Sequence, residues 1–206
     1  MNRQNLFAAF LLASSLLLAA SPVEAACAKI KPTKPGEVYL MRGLANIFSL
    51  GLDEYGRELS KRGIENCVFN HSTWQSLVND IIERSYNGQV SEPVMIVGHS
   101  LGAGVAPKMA TALAKHNIQV AYVAMLDPVE PTQVGGEVEE IINYYLPKRN
   151  KDNHLYPGQG FSGDLENINA QKFGGVDHFN IDEKPNLKGV ILTKVIEKSD
   201  AASEAN

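Results

Sequence analysis

Val94-Met95-Ile96-Val97-Gly98-His99-Ser100-Leu101-Gly102-Ala103-Gly104-Val105-Ala106 is the stretch on which the fold turns. Its first half, from Pro93 to Val97, is wholly apolar, as a strand buried on both faces of a parallel sheet requires. Its second half, rich in glycine and alanine, opens a helix expected to run from about Leu101 to His116. Between them stands Gly98-His99-Ser100-Leu101-Gly102, a G-x-S-x-G. The pattern alone is not decisive, because at ordinary Gly and Ser usage roughly one chain in ten carries it by chance. Its setting gives it meaning. A serine on so tight a strand-to-helix turn needs small neighbours around its strained backbone. The helix N-terminus also offers free N–H groups and a positive dipole end where an oxyanion would form.

Outward from this turn, strand-like and helix-like patterns alternate. Glu37 to Met41 is a short strand ending in Arg42-Gly43, and Leu52, Tyr55 and Leu59 recur at helical spacing before Gly63 stops the helix. Ile64 to Asn70 reads as a strand. Ser72 or Thr73 caps a helix with Trp74, Leu77, Val78, Ile81, Ile82 and Ser85 on one face. Beyond the central helix, Ile118 to Leu126, Glu140 to Leu146 and Leu165 to Asn169 read as strands. Leu187, Val190, Ile191 and Val195 mark a closing helix, with fraying expected beyond Lys198. The class is α/β: a mostly parallel sheet of about six strands with helices on both faces, in one domain over 26–206. Pro147 to Gly175, with Gly158, Gly160, Gly163, Tyr156 and Phe161, reads as a long irregular loop expected to wall a substrate pocket.

The first 25 residues stand apart from this alternation. Arg3 is followed by an apolar run from Leu6 to Ala20, and Val23-Glu24-Ala25 has the small residues a signal peptidase accepts. The run is shorter than the roughly 20 residues that span a bilayer, so the expectation is cleavage near Ala25, no stable membrane anchor, and a periplasmic or secreted protein. In an oxidising compartment Cys27 and Cys67, the only 2 cysteines, are expected to pair. Such a closed loop would stabilise the fold by ~3–4 kcal/mol in the chain-entropy model. A net charge of −4 and scattered lysines argue against a nucleic-acid surface. The one basic cluster, Lys148-Arg149-Asn150-Lys151, reads as a solvated loop.

A serine hydroxyl is a weak nucleophile until a base takes its proton and an acid orients that base. Asp127 follows the Ile118–Leu126 strand and so lies at the sheet edge that carries Ser100, where open α/β sheets bind ligands. Asp152, Asp164 and Glu130 are the other acids available. Among the 5 histidines, His71 and His116 flank helices, His99 sits inside the turn, and His154 and His178 compete for the base.

Gly98-His99-Ser100-Leu101-Gly102 followed by a strand and Leu126-Asp127-Pro128-Val129-Glu130-Pro131 resembles the lipase and thioesterase branch of the α/β-hydrolase superfamily. The resemblance spans about Val38 to Ile196. It implies a compact α/β-hydrolase fold, Ser100 as nucleophile, Asp127 as acid, and His178, just before the last helix, as base. Arg42-Gly43-Leu44 stands where many members carry His-Gly-X, which implies the Leu44 and Leu101 N–H groups as oxyanion donors. That segment through Gly51-Leu52-Asp53, with His178-Phe179-Asn180-Ile181-Asp182, resembles small exported bacterial hydrolases described as thioesterase-like. The expected reaction is hydrolysis of a small-molecule or polymer-borne ester or thioester, with no cofactor and no metal, since no metal-ligand or nucleotide-binding motif occurs. A silent binding protein on the same scaffold is the alternative, and a broken triad would be its mark.

Overall fold

In the computed structural model, residues 26–27, 31–44, 50–148 and 151–205 are described. The expected leader and its cleavage site at Ala25 lie outside them. In chain order the elements are β1 (Ala26–Cys27), β2 (Glu37–Arg42), α1 (Gly51–Lys61), β3 (Glu65–Asn70), α2 (Trp74–Tyr86), β4 (Val94–His99) and α3 (Leu101–Ala114). They continue with β5 (Val120–Leu126), β6 (Thr132–Val134), β7 (Glu137–Tyr145), β8 (Leu155–Pro157), β9 (Ser162–Asn169) and α4 (Pro185–Ala205).

The main sheet has the order β1-β3-β2-β4-β5-β7-β9. Six of its strands, β3 through β9 in that order, run parallel. The two-residue β1 is antiparallel to β3 and sets Cys27 opposite Cys67. Central strands are buried on both faces, and the period of two sorts their side chains between two cores. Val94 and Ile96 of β4 join α2 and α3, whereas Met95 and Val97 join α1 and α4. β5 divides the same way, Val123 and Met125 against Tyr122, Ala124 and Leu126. The apolar run of β4 is thus explained by helices on both sides.

α1 buries Leu52, Tyr55 and Leu59, each worth roughly 2 kcal/mol in area terms. Its N-cap Leu50 has no capping side chain, so a distant residue substitutes: Asp182 Oδ2 accepts the Gly51 N–H at 3.0 Å. This ties the start of α1 to the segment before α4.

Two expectations need correction. The stretch from Pro147 to Gly175 is not one irregular loop. It contains β8, paired with β6, and β9, which pairs along β7 as the sheet's last strand. β9 covers the strand expected over Leu165 to Asn169 and extends it back to Ser162; its sequence, Ser-Gly-Asp-Leu-Glu-Asn-Ile-Asn, is polar because an edge strand has little to bury. The closing helix also continues past Lys198 to Ala205. Buried Ser199 donates to the Pro35 carbonyl at 2.6 Å, and Lys198 pairs with Glu139 and Glu140, which anchor the last turns. On that helix Leu187, Ile191 and Val195 are buried, while Val190 is exposed. Among the described residues no helix is long and apolar enough to cross a membrane.

Candidate active site

The turn between β4 and α3 holds Ser100 at φ 59° and ψ −118°, left-handed backbone that a non-glycine residue adopts only under constraint. The constraint is local packing. Ser100 N–H donates to the Leu126 carbonyl at 2.9 Å, and the Ser100 carbonyl accepts from Gly104 at 3.1 Å. A Cβ on Gly102 would lie 1.9 Å from the Met41 carbonyl oxygen, so no larger residue fits where α3 passes β2. Leu101 begins α3, and its N–H is one that helix geometry leaves without an intrahelical acceptor.

Asp127 directly follows β5, also at positive φ (44°), with its side chain fully buried. Its N–H donates to the Tyr144 carbonyl of β7 at 2.9 Å. Asp127 Oδ2 lies 2.6 Å from His178 Nδ1, and His178 Nε2 lies 3.0 Å from Ser100 Oγ. The three residues singled out from the sequence are therefore brought into one hydrogen-bonded chain.

His178 is carried by a segment that braces itself. Asp177 Oδ1 accepts the N–H groups of Phe179 (2.8 Å) and Asn180 (3.0 Å), while Asn180 Oδ1 accepts from Asp177 N–H (2.9 Å). The His178 carbonyl accepts from His99 Nε2 at 2.8 Å. Burial holds the His99 imidazole down to about 4, so it is neutral and donates this bond at ordinary pH. His99 thus ties the turn that carries Ser100 to the main chain of His178, a contact between segments remote in the sequence.

Asp127 Oδ1 faces the turn between β7 and β8. It receives Asn153 Nδ2 at 3.0 Å and Leu146 N–H at 3.2 Å, and Lys148 Nζ lies 3.1 Å away. Burial pushes the Asp127 carboxyl up, but hydrogen bonds from His178 and Lys148, the Lys148 charge and the Leu146 N–H together hold it below its ordinary range. Asn153 carried no sequence signal, and Lys148 read as part of a solvated cluster. Their roles exist only once the chain returns to β5.

The rival residues lie elsewhere. His154 Nδ1 pairs with Asp152 at 2.9 Å, and its ring packs 4.4 Å from Tyr145, outside the chain that reaches Ser100. His116 meets the Tyr86 hydroxyl (3.2 Å), and His71 Nδ1 meets the Gly43 carbonyl (3.1 Å). Glu130 and Asp164 are exposed. Gly43 packs directly on the serine: a Cβ there would lie 2.9 Å from Ser100 Cβ. Leu44 follows it and is 62% exposed. Arg42 is engaged by Asp53 of α1 in a part-buried ion pair, which draws its charge to that helix.

No protein-family model matches this chain, and no curated protein sequence matches it. Solved structures similar to it include Est1E from Butyrivibrio proteoclasticus, 12% identical over 84% of this chain and 93% of that one, with a TM-score of 0.43. The type II thioesterase YbtT of the yersiniabactin biosynthetic pathway is 9% identical over 86% of this chain and 98% of its own, with a TM-score of 0.46. On its own geometry, the chain has an α/β fold: six parallel strands covered by helices on both faces, with a strained Ser100 on the turn between β4 and α3 and Asp127 and His178 hydrogen-bonded in line with it.

Proposed function

We propose that this protein is a serine hydrolase that cleaves an ester or thioester through an acyl-enzyme. The observation that carries the reading is the continuous hydrogen-bonded line from Ser100 Oγ through His178 to Asp127, at 3.0 and 2.6 Å. In this reading His178 Nε2 takes the Ser100 proton as Oγ attacks the substrate carbonyl. Asp127 fixes the imidazole tautomer and stabilises the imidazolium. The N–H groups of Leu44 and Leu101 face the tetrahedral oxyanion, each worth about 3 kcal/mol in the transition state. His178 then protonates the leaving group, and water, deprotonated by the same imidazole, releases the acid.

The substrate is a small-molecule or polymer-borne ester met outside the cytoplasm, in keeping with the leader-like N-terminus. The same export supports a Cys27–Cys67 disulfide. The antiparallel register of β1 on β3 opposes these two residues, and the described residues include no free cysteine.

A fluorophosphonate probe tests the reading. Purified wild-type protein should label covalently at Ser100, while Ser100→Ala and His178→Ala should not label, and an ester and thioester panel then ranks substrates. A folded wild type that does not label would remove the hydrolase reading.

A further inference from the structure

We propose that Lys148 and Asn153, from the turn between β7 and β8, are positioning residues that hold the outer oxygen of Asp127 and set how strongly that carboxylate acts on His178. The inference rests on the triad reading above. The two oxygens of Asp127 face different partners. Oδ2 is given to His178, while Oδ1 meets Asn153 Nδ2, Leu146 N–H and Lys148 Nζ, all within 3.2 Å. Three donors on one oxygen fix the plane of a carboxylate that has no solvent to reorient it.

Asn153 is itself braced. It is 2% exposed, and its Nδ2 also donates to the Leu146 carbonyl at 3.0 Å. Its own carbonyl accepts from Asn143 Nδ2 of β7 at 2.9 Å, and that amide also donates to Asn167 Oδ1 of β9 at 2.8 Å. Asn167 in turn clasps the Leu155 backbone through both N–H and C=O, at 2.8 and 2.9 Å. A line of side-chain amides thus runs across the end of the sheet and terminates on Asp127. Such a network stabilises one arrangement only when its donors are matched, which is the use a positioning device needs.

Lys148 adds charge to geometry. Its Nζ lies between Asp127 Oδ1 and the Pro128 carbonyl, the latter at 3.0 Å, with 27% of the side chain exposed. Exposed ion pairs contribute little, but one partner here is a fully buried carboxylate, so the interaction is less screened. Asp127 is shared between a cation and the base. Lys148 therefore helps keep the carboxylate ionised and offsets part of its pull on the imidazole proton. The other titratable groups facing the pair are neutral His99 of β4, whose ring lies 5.2 Å from that of His178, and Asp182, four residues beyond His178.

The test measures fluorophosphonate labelling rates from pH 5 to 9 for purified wild type, Lys148→Met, Lys148→Arg and Asn153→Ala, with a thermal melt of each. Removing the Lys148 charge leaves Asp127 uncompensated beside the imidazole, so the acid limb of the Lys148→Met profile should move to higher pH by about half a unit or more. Lys148→Arg should restore it. Asn153→Ala should label at least about ten-fold slower at every pH, because a swivelling acid misorients the base. A Lys148→Met limb superimposable on wild type overturns the proposal, and so does an Asn153→Ala rate within two-fold of wild type. If Asn153→Ala does not fold, the two Lys148 variants decide alone, since a purely structural lysine would not move the limb. A wild type that fails to label overturns this inference together with the triad reading.

Discussion

Asp182→Asn should make the protein more stable at pH 8 and leave it nearly unchanged at pH 4. Asp182 is buried, Oδ2 accepts the Gly51 N–H at the start of α1, and among the described residues Oδ1 has no hydrogen-bond partner. Burial pushes its carboxyl up to about 6 from an ordinary value of 3.8. The folded state therefore binds a proton that the unfolded chain has lost between those limits, and stability falls as pH rises through the window. About two pH units correspond to about 3 kcal/mol once both states are ionised. Asparagine keeps the acceptor for Gly51 and has no charge to bury. His99 acts in the opposite sense: held at about 4, it binds fewer protons folded than unfolded, so stability rises with pH toward 6.5 by a comparable amount. The two nearly cancel in wild type, and the informative quantity is the difference between variant and wild type. Urea unfolding at pH 4, 5, 6, 7 and 8 measures it. A difference that does not change with pH, or a variant less stable than wild type at pH 8, would refute the reasoning.

His99→Phe should show the mirror image, its stability relative to wild type being about 3 kcal/mol more favourable at pH 4 than at pH 7, again by urea unfolding. It also leaves the His178 carbonyl without its donor, so ester turnover should fall mainly in kcat, by about ten-fold or more. Gly43→Ala places a Cβ 2.9 Å from Ser100 Cβ and 3.3 Å from its Oγ, inside van der Waals contact. The serine must shift, so labelling should slow by at least about ten-fold while a thermal melt records a destabilisation of roughly 1–3 kcal/mol.

Where local pattern and tertiary environment coincide, the sequence was enough. The wholly apolar Val94 to Val97 could only be a strand covered on both faces, and the glycines around Ser100 declared a turn too crowded for larger residues. Leu52, Tyr55 and Leu59 announced the buried face of α1 by spacing alone. That Ser100, Asp127 and His178 form one hydrogen-bonded line agrees with the expectation drawn from their places at the ends of elements and from the family resemblance. What the sequence concealed lies where the partner is remote in the chain or the local signal is weak. A strand was expected over Leu165 to Asn169, but its start at Ser162 and the short β8 have weak patterns of their own and form through pairing with β7 and β6. α4 continues past Lys198 because Ser199 reaches the Pro35 carbonyl. Asn153 and Lys148 are ordinary polar residues until the turn after β7 closes on Asp127, and Asp182 caps a helix that begins 131 positions earlier. Periodicity and composition report which faces are apolar. They do not report which polar groups will meet, because a hydrogen bond or ion pair depends on two positions whose separation only the folded chain sets.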